Sequence, residues 1–414
     1  MSSREAGGVG RDLVAIVVLG LAARLTLLAL MDVWGAPRLW EYDDIATNVL
    51  NGRGFVLDVE GTEYRAFTTP GWPLLLAALL LVGDYRLVQC LQILLGLSLG
   101  VAVYLVVRTS WARRAALLAG AASMLHPGLV YYSVMNSDPL PLNALIVFLI
   151  AAALLRLGDH PSPSWAVVPG TLIGMSLFTR GTTVLLLPVA AVWLVFVTGW
   201  RRATMSTAVV VVVAGVWVAP WILRNMIVLD APVMTSTAGE MLWWGNNPDA
   251  SGGVEALDGS NMAARRPSRV QAVLRASPNE LVHDRAFKNE AFGFMRSDPG
   301  AAASLWLRKF VQFWWFGPFY GKEYPVWYLS GYKPLYALEL MLAAAGIVIA
   351  FRSRQHSSAA WLFVSIPLAI SIFQSLFYVQ GRHRWMVESF LIVFASVAAA
   401  AVIDTLIGAE DAGR

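Results

Sequence analysis

The chain has 414 residues, 57% of them hydrophobic and only 14% charged, against about a quarter charged in a soluble domain. No polar half exists to make a soluble domain, the one long polar stretch lying within 224–334, which excludes an ordinary soluble enzyme; the net charge of +4 gathers in no tract that would bind nucleic acid. A single cysteine, Cys90, excludes an internal disulfide.

The first apolar run, 13–31, carries Arg24 and is followed by no small-residue cleavage site, so it reads as a retained span rather than a signal peptide. Beyond it comes Trp40-Glu41-Tyr42-Asp43-Asp44, three carboxylates in four residues. Tyr42, Ile45, Ala46, Val49 and Leu50 recur at helical spacing, which predicts a surface helix with one apolar face that Gly52 ends. Residues 72–83 are too short to cross, and 301–317 carry Arg308 and Lys309 mid-run. Both are expected to lie in the membrane interface, the long cations snorkelling. Further runs near 86–107, 114–134, 139–156, 164–179, 182–199, 205–223, 335–351, 359–378 and 386–407 approach the ~20 residues of a span.

The predicted fold is therefore all-α: one membrane-embedded domain, 1–414, forming a polytopic helical bundle of about ten spans, or 11–12 if the in-plane segments cross. Basic residues set the orientation. Arg4 and Arg11 precede the first span; Arg108, Arg113, Arg114, Arg156, Arg201, Arg202, Arg352 and Arg354 flank later ones. Ten spans with both termini inside place all of them on one side. Large loops, 32–85 and 224–334, then face the other side. No internal repeat is present.

Ionisable groups beside a membrane are costly and tend to be functional. The acidic start of the 41–51 helix also suits the helix dipole, which is its plain structural explanation. Arg180, Arg224, Arg382 and Arg384 close apolar runs on the same predicted side, against the positive-inside tendency. Guanidinium groups bind phosphate bidentately, and a lipid phosphate would sit at that depth; each arginine alone could equally anchor a helix end. Asp138 before Pro139 is ordinary helix-start grammar placed on that face. The five histidines fall in no metal-ligand spacing, and no nucleophile or phosphate-loop motif appears. Tyr324, Trp327, Tyr328 and Tyr332 read as interfacial belt residues.

Six segments in order then carry a resemblance. Glu41-Tyr42-Asp43 with the following Ile45 to Phe55 looks like a first outer loop, and Thr69-Pro70-Gly71-Trp72-Pro73-Leu74 like a Pro-Gly-Tyr-Pro segment. Ser137-Asp138-Pro139-Leu140 resembles Thr-Glu-Pro-Leu, and Leu177-Phe178-Thr179-Arg180 resembles Leu-Thr-Arg. Pro220 to Asn225 resembles Pro-Trp-x-x-Arg-Asn, and Gly245-Asn246-Asn247-Pro248 a later loop motif. Over nearly its whole length the chain resembles the C-type membrane glycosyltransferases that use polyprenyl-phosphate sugars. Its branch is that of the bacterial relatives of protein O-mannosyltransferase and lipid A aminoarabinose transferase (glycosyltransferase family 39/83-like).

The resemblance implies an inverting sugar transfer from a polyprenyl-phosphate donor to an envelope glycan, lipid or protein acceptor. The expected setting is the outer face of a bacterial cytoplasmic membrane. It implies a first-loop carboxylate as base (Glu41, Asp43 or Asp44) and a donor-phosphate site at Arg180, Arg224, Arg382 and Arg384. Substrate contacts fall to Tyr42, Arg65, Asp138, Asn225 and Asn246. No cofactor is fixed by it; a divalent cation is left open, as is the oligomeric state. Arg38-Leu39-Trp40 stands where members often carry another Asp, Thr68 where an Arg often stands, and Trp385 to Glu388 where prolines are usual. The alternative expectation is a transporter or flippase that holds a lipid-linked sugar without chemistry; the missing repeat and the one-sided charges favour the enzyme.

Overall fold

The computed structural model describes residues 3–319, 324–353 and 356–412. Arg354 and the side chain of Arg4, both counted in the charge asymmetry above, lie outside the described residues.

Among the described residues the chain is a bundle of helices with one short hairpin. It opens with α1 (Ser3–Met31), α2 (Glu41–Leu50), the strands β1 (Leu57–Val59) and β2 (Thr62–Tyr64), α3 (Gly71–Val82) and α4 (Tyr85–Ser110). Next come α5 (Arg113–Leu125), α6 (Pro127–Met135), α7 (Leu140–Asp159), α8 (Pro163–Thr179), α9 (Leu186–Thr198) and α10 (Trp200–Leu229). Four shorter helices follow, α11 (Ala238–Trp244), α12 (Ser268–Ala276), α13 (Glu280–Ser297) and α14 (Pro299–Trp314). The last are α15 (Val326–Arg352), α16 (Ser357–Gln374), α17 (Gly381–Trp385) and α18 (Glu388–Ala412).

Eight helical segments among the described residues are long and apolar enough to cross a membrane. They are Gly8–Met31 of α1, α4, α7, Gly181–Thr198 (a 3-10 turn continuing into α9), α10, α15, α16 and Glu388–Ile407 of α18. The other two expected spans are also helical but differ in form. The run 114–134 breaks at His126, whose φ −56° and ψ 121° leave the helix. Pro127 is the reason, since a proline ring pushes the preceding residue out of the α region. α8 is one residue shorter than the shortest of the eight, at 17 residues.

The bundle has an inside and a lipid-ready outside. α7 is 67% buried, against 22% for the apolar windows of α1, α10 and α15; α7 is the central helix and those three are peripheral. Their outward residues, such as Ile227 at 85% exposed, meet no protein, as lipid-facing side chains do. Where helices touch closely, small residues permit it. A Cβ on Gly346 of α15 would come 1.8 Å from the Phe394 carbonyl of α18.

In the first large loop, α2 buries Ile45 and Ala46 as its periodicity predicts, and Gly52 follows with φ +76°. α3 stays too short to cross and packs Trp72, Leu76 and Ala77 against Ala46 and Val88. Between them β1 and β2 form an antiparallel hairpin, turned at Glu60 and Gly61, both with positive φ.

The second large loop is mostly helical, and Trp243, Met262, Val270, Phe287 and Leu305 make a small core of their own. Here α14 corrects one expectation. Lys309 does not snorkel: it is fully buried and donates to Gly245 O at 2.7 Å and Asn246 Oδ1 at 3.0 Å. Burial pushes its pKa down to about 7.

Candidate active site

The acidic segment is held in place by backbone pairing. Arg38 N–H donates to Met135 O at 2.8 Å, and Ser137 N–H donates to Arg38 O at 2.9 Å, a parallel bridge between the first loop and the α6–α7 turn. Residues 41 and 138 are thereby brought side by side. Asp43 then begins α2: its Oδ2 accepts the Trp40 N–H at 2.7 Å, and the side chain is 2% exposed. Burial raises its pKa, opposed by that N–H and by the hydroxyls of Ser137 and Tyr85. Asp44 points to solvent. Glu41 and Tyr42 are the members of the cluster that line a cavity.

That cavity, about 350 Å³, is where four separate junctions of the chain meet. Asp138 enters from the turn before α7, its Oδ1 accepting the Leu140 N–H at 2.8 Å. Arg180 enters from the break after α8, and Arg382 from α17. Arg382 Nη1 lies 3.5 Å from Asp138 Oδ2, and its guanidinium sits 5.4 Å above the Trp40 ring, which Arg38 also covers at 4.4 Å. Arg180 donates from Nε to Thr182 Oγ1 at 3.3 Å; among the described residues its terminal nitrogens make no hydrogen bond. They are donors open to a bound anion.

The far wall is docked by the segment that leads into α3. The Thr69 hydroxyl donates to Thr179 O at 2.9 Å, and Thr179 Oγ1 bonds Asn143 Oδ1 at 2.7 Å. Gly71 is required here, because a Cβ would meet Phe178 O at 2.7 Å.

Two carboxylates face two guanidiniums, so the cavity is charge-balanced by its own residues. Burial raises the pKa of Glu41, opposed chiefly by Arg382 and reinforced by Asp138 and Asp43. Asp138 is raised by burial too, against Arg382 and Arg180. His383, also lining the cavity, accepts the Gln380 N–H on Nδ1 at 3.2 Å. Burial and the two arginines hold its pKa well below the usual range, so it is neutral with Nε2 protonated.

Other residues singled out by sequence frame the site without lining it. Arg224 lies in mid-helix, because α10 runs on to Leu229. Its Nη1 donates to Arg65 O at 2.6 Å and Asn225 Oδ1 at 2.8 Å, and it stacks over Trp221 at 4.8 Å. The Arg65 side chain pairs with Glu63. Asn225 donates to Val233 O, and Asn246 to Leu242 O and Leu376 O. Arg384 is two residues from Arg382 on a short helix, about 200° around its axis, and is buried on the opposite side against Glu388 and Tyr332. Conversely, Asn143, Thr179 and His383 enter the site without being picked out individually; the Leu177–Arg180 motif and the Arg-His-Arg run at 382–384 were the available signals for the last two. Among the described residues, one trio of metal-ligating groups, His126, Glu339 and Glu388, lies apart from this cavity.

Residues 69–223 match the family model described as dolichyl-phosphate-mannose-protein mannosyltransferase. The matched segment holds Asp138 and Arg180 and omits Glu41 and Arg382. No curated protein matches the sequence. Among solved structures, the chain is similar to the archaeal oligosaccharyltransferase AglB from Archaeoglobus fulgidus in complex with an inhibitory peptide and a dolichol-phosphate. Identity is 15%, coverage 100% of this chain and 52% of that one, and the TM-score 0.59. The same organism's oligosaccharyltransferase complexed with Zn and sulfate aligns at 13% identity over 95% of this chain and 49% of that one, with TM-score 0.54. ArnT from Cupriavidus metallidurans, at 15% identity over 94% and 78% of the two chains, has a TM-score of 0.40, too low to carry weight. The chain thus spans about half the length of the oligosaccharyltransferase it matches. At this identity the likeness shows the fold alone: the helical fold shared with that oligosaccharyltransferase.

Proposed function

We propose that this chain is an inverting glycosyltransferase that takes a sugar from a polyprenyl-phosphate donor. The observation that carries the reading is the convergence of Glu41, Asp138, Arg180 and Arg382 on one cavity. Glu41 accepts the proton of an acceptor hydroxyl or amine as that atom bonds to the anomeric carbon. The bond from the anomeric carbon to the phosphate oxygen breaks, and polyprenyl phosphate leaves as an anion. Arg180, with its open nitrogens, and Arg382 stabilise the charge that develops on it. Because the leaving group is already a stable anion, no protonating acid is needed. General-base help of this kind contributes roughly 10²–10⁴-fold. Asp138 keeps Arg382 aimed, and Asp43 keeps the start of α2 wound.

The dolichol-phosphate in the matching oligosaccharyltransferase complex supports a lipid-phosphate donor, and its bound peptide supports an acceptor of protein or glycan type. The side of action is read from charge. Arg108, Arg113, Arg114, Arg156, Arg201, Arg202 and Arg352 all lie at the helix ends opposite the cavity. By the positive-inside tendency the cavity faces outward from the cytoplasmic membrane of a bacterium.

The test compares lipid-linked sugars and envelope glycans by mass spectrometry. The strain lacks this chain and is complemented with wild type, Glu41→Gln or Asp43→Asn. The expected result is loss of one glycosylated product and accumulation of its polyprenyl-phosphate sugar, reversed by wild type and Asp43→Asn but not by Glu41→Gln. Full restoration by Glu41→Gln would sink the mechanism and favour transport of the lipid-linked sugar.

A further inference from the structure

Behind the α17 wall lies a polar cluster that sugar transfer does not use. His126 separates α5 from α6, Glu339 lies on α15, and Glu388 opens α18. His126 Nε2 stands 3.9 Å from Glu339 Oε2 and 3.9 Å from Glu388 Oε1; the three ligating groups lie within 4.8 Å of one another. Glu388 is fully buried, and its Oε1 accepts no hydrogen bond. Carboxylates left this way inside a membrane protein need a partner.

The distances constrain that partner. At 3.9 Å no direct hydrogen bond forms. A metal ion holds imidazole nitrogen and carboxylate oxygen at about 2.0–2.2 Å, which spaces donors on one ion roughly 3–4 Å apart. The surroundings orient the ligands. Arg384 Nε binds the other oxygen of Glu388, Oε2, at 3.2 Å, while its guanidinium lies 3.8 Å over the Tyr336 ring. Such outer contacts are what aim a ligating carboxylate. Tyr332 OH accepts from Arg384 Nη2 at 3.0 Å and from Trp385 Nε1 at 2.8 Å, and stands 3.3 Å from His126 Nε2. Nε2 is the ring nitrogen nearest both carboxylates, and neutral imidazole is the form in which histidine ligates. Two ionised carboxylates against one guanidinium would carry an excess negative charge, which a cation or a proton between them neutralises.

We propose that His126, Glu339 and Glu388 bind one divalent cation of the zinc or manganese class, the ions suited to one imidazole and two carboxylates. The ion joins the α5–α6 break, α15 and α18 at one point. It thereby steadies α17, whose opposite side presents Arg382 and His383 to the cavity. Its role is to position the wall; it does not touch the substrate.

The test uses the full-length protein in detergent, stripped with chelator and reloaded with Zn²⁺ or Mn²⁺ separately. Metal per chain is measured by plasma mass spectrometry and folding by thermal melt. We expect about one equivalent and a raised Tm in the wild type, and occupancy about tenfold or more lower in Glu339→Gln at equal free metal. His126→Asn serves if Glu339→Gln does not fold. Glu41→Gln should load like wild type, which separates this site from the acidic loop. Folded wild type that holds neither ion would leave a proton shared by the two carboxyls as the occupant and overturn the proposal. Full loading of a folded site variant, or loss of metal in Glu41→Gln, would overturn it equally.

Discussion

Glu41 and Asp43 stand two residues apart on α2, yet one faces a cavity and the other its own helix end. Their replacements should therefore fail differently. Glu41→Gln should lower turnover by about 10²-fold or more with donor binding kept, measured with purified protein and a polyprenyl-phosphate sugar. Asp43→Ala should instead cost about 1 kcal/mol of stability through the lost Trp40 N–H bond, read in a thermal melt, with residual turnover in the folded fraction. The pH dependence follows from the same burial. A base must be ionised, and burial raises the Glu41 pKa above the ordinary carboxylate range. Activity should thus be lost on acidification earlier than an exposed carboxylate would lose it, and the acidic limb of the kcat/KM profile should persist in Asp43→Asn. Three adjacent carboxylates were legible in the sequence as a cluster. Which one lines the cavity was not, because it depends on a side-chain bond back to Trp40 and on the backbone bridge from Arg38 to Met135 and Ser137.

Elements place these residues through a few close approaches. α3 meets the end of α8 at Gly71, where the opposing atom is a backbone carbonyl that cannot swing aside. Gly71→Val should therefore push α3 off the Thr179 wall, costing about 2 kcal/mol as overpacking does. A matching fall in Tm and in activity would be expected; a stable, fully active variant would show that α3 does not shape the cavity. The short, in-plane character of α3 and the apolar face of α2 were readable from run length and periodicity. The break at His126 was written in Pro127 but hidden by the unbroken apolar composition around it. The hairpin of β1 and β2 left less trace, since three-residue strands are too short to show an alternating pattern, although Glu60-Gly61 supplies turn chemistry.

For the whole molecule, sidedness is the property most open to test. In a Cys90→Ser background, a cysteine replacing exposed Asp44 should react with a membrane-impermeant maleimide added to intact spheroplasts. One replacing Arg202 should react only after lysis. The reverse pattern would place the cavity on the cytoplasmic side. The amino-acid sequence by itself determined the all-α membrane class, eight of the ten expected membrane-length helices, the bias of basic residues toward one set of helix ends and the short list of acids and arginines. Hydropathy, run length and charge bias are local properties, and each can be read along the chain. Only the tertiary structure decided that Arg180 and Arg382 join Glu41 and Asp138 while Arg224 and Arg384 turn away. It alone brought His126, Glu339 and Glu388 together across 262 residues of chain. The physical reason is that side-chain direction depends on where a helix ends and what packs beside it: α10 runs past Arg224, and one short helical turn sends Arg382 and Arg384 to opposite sides.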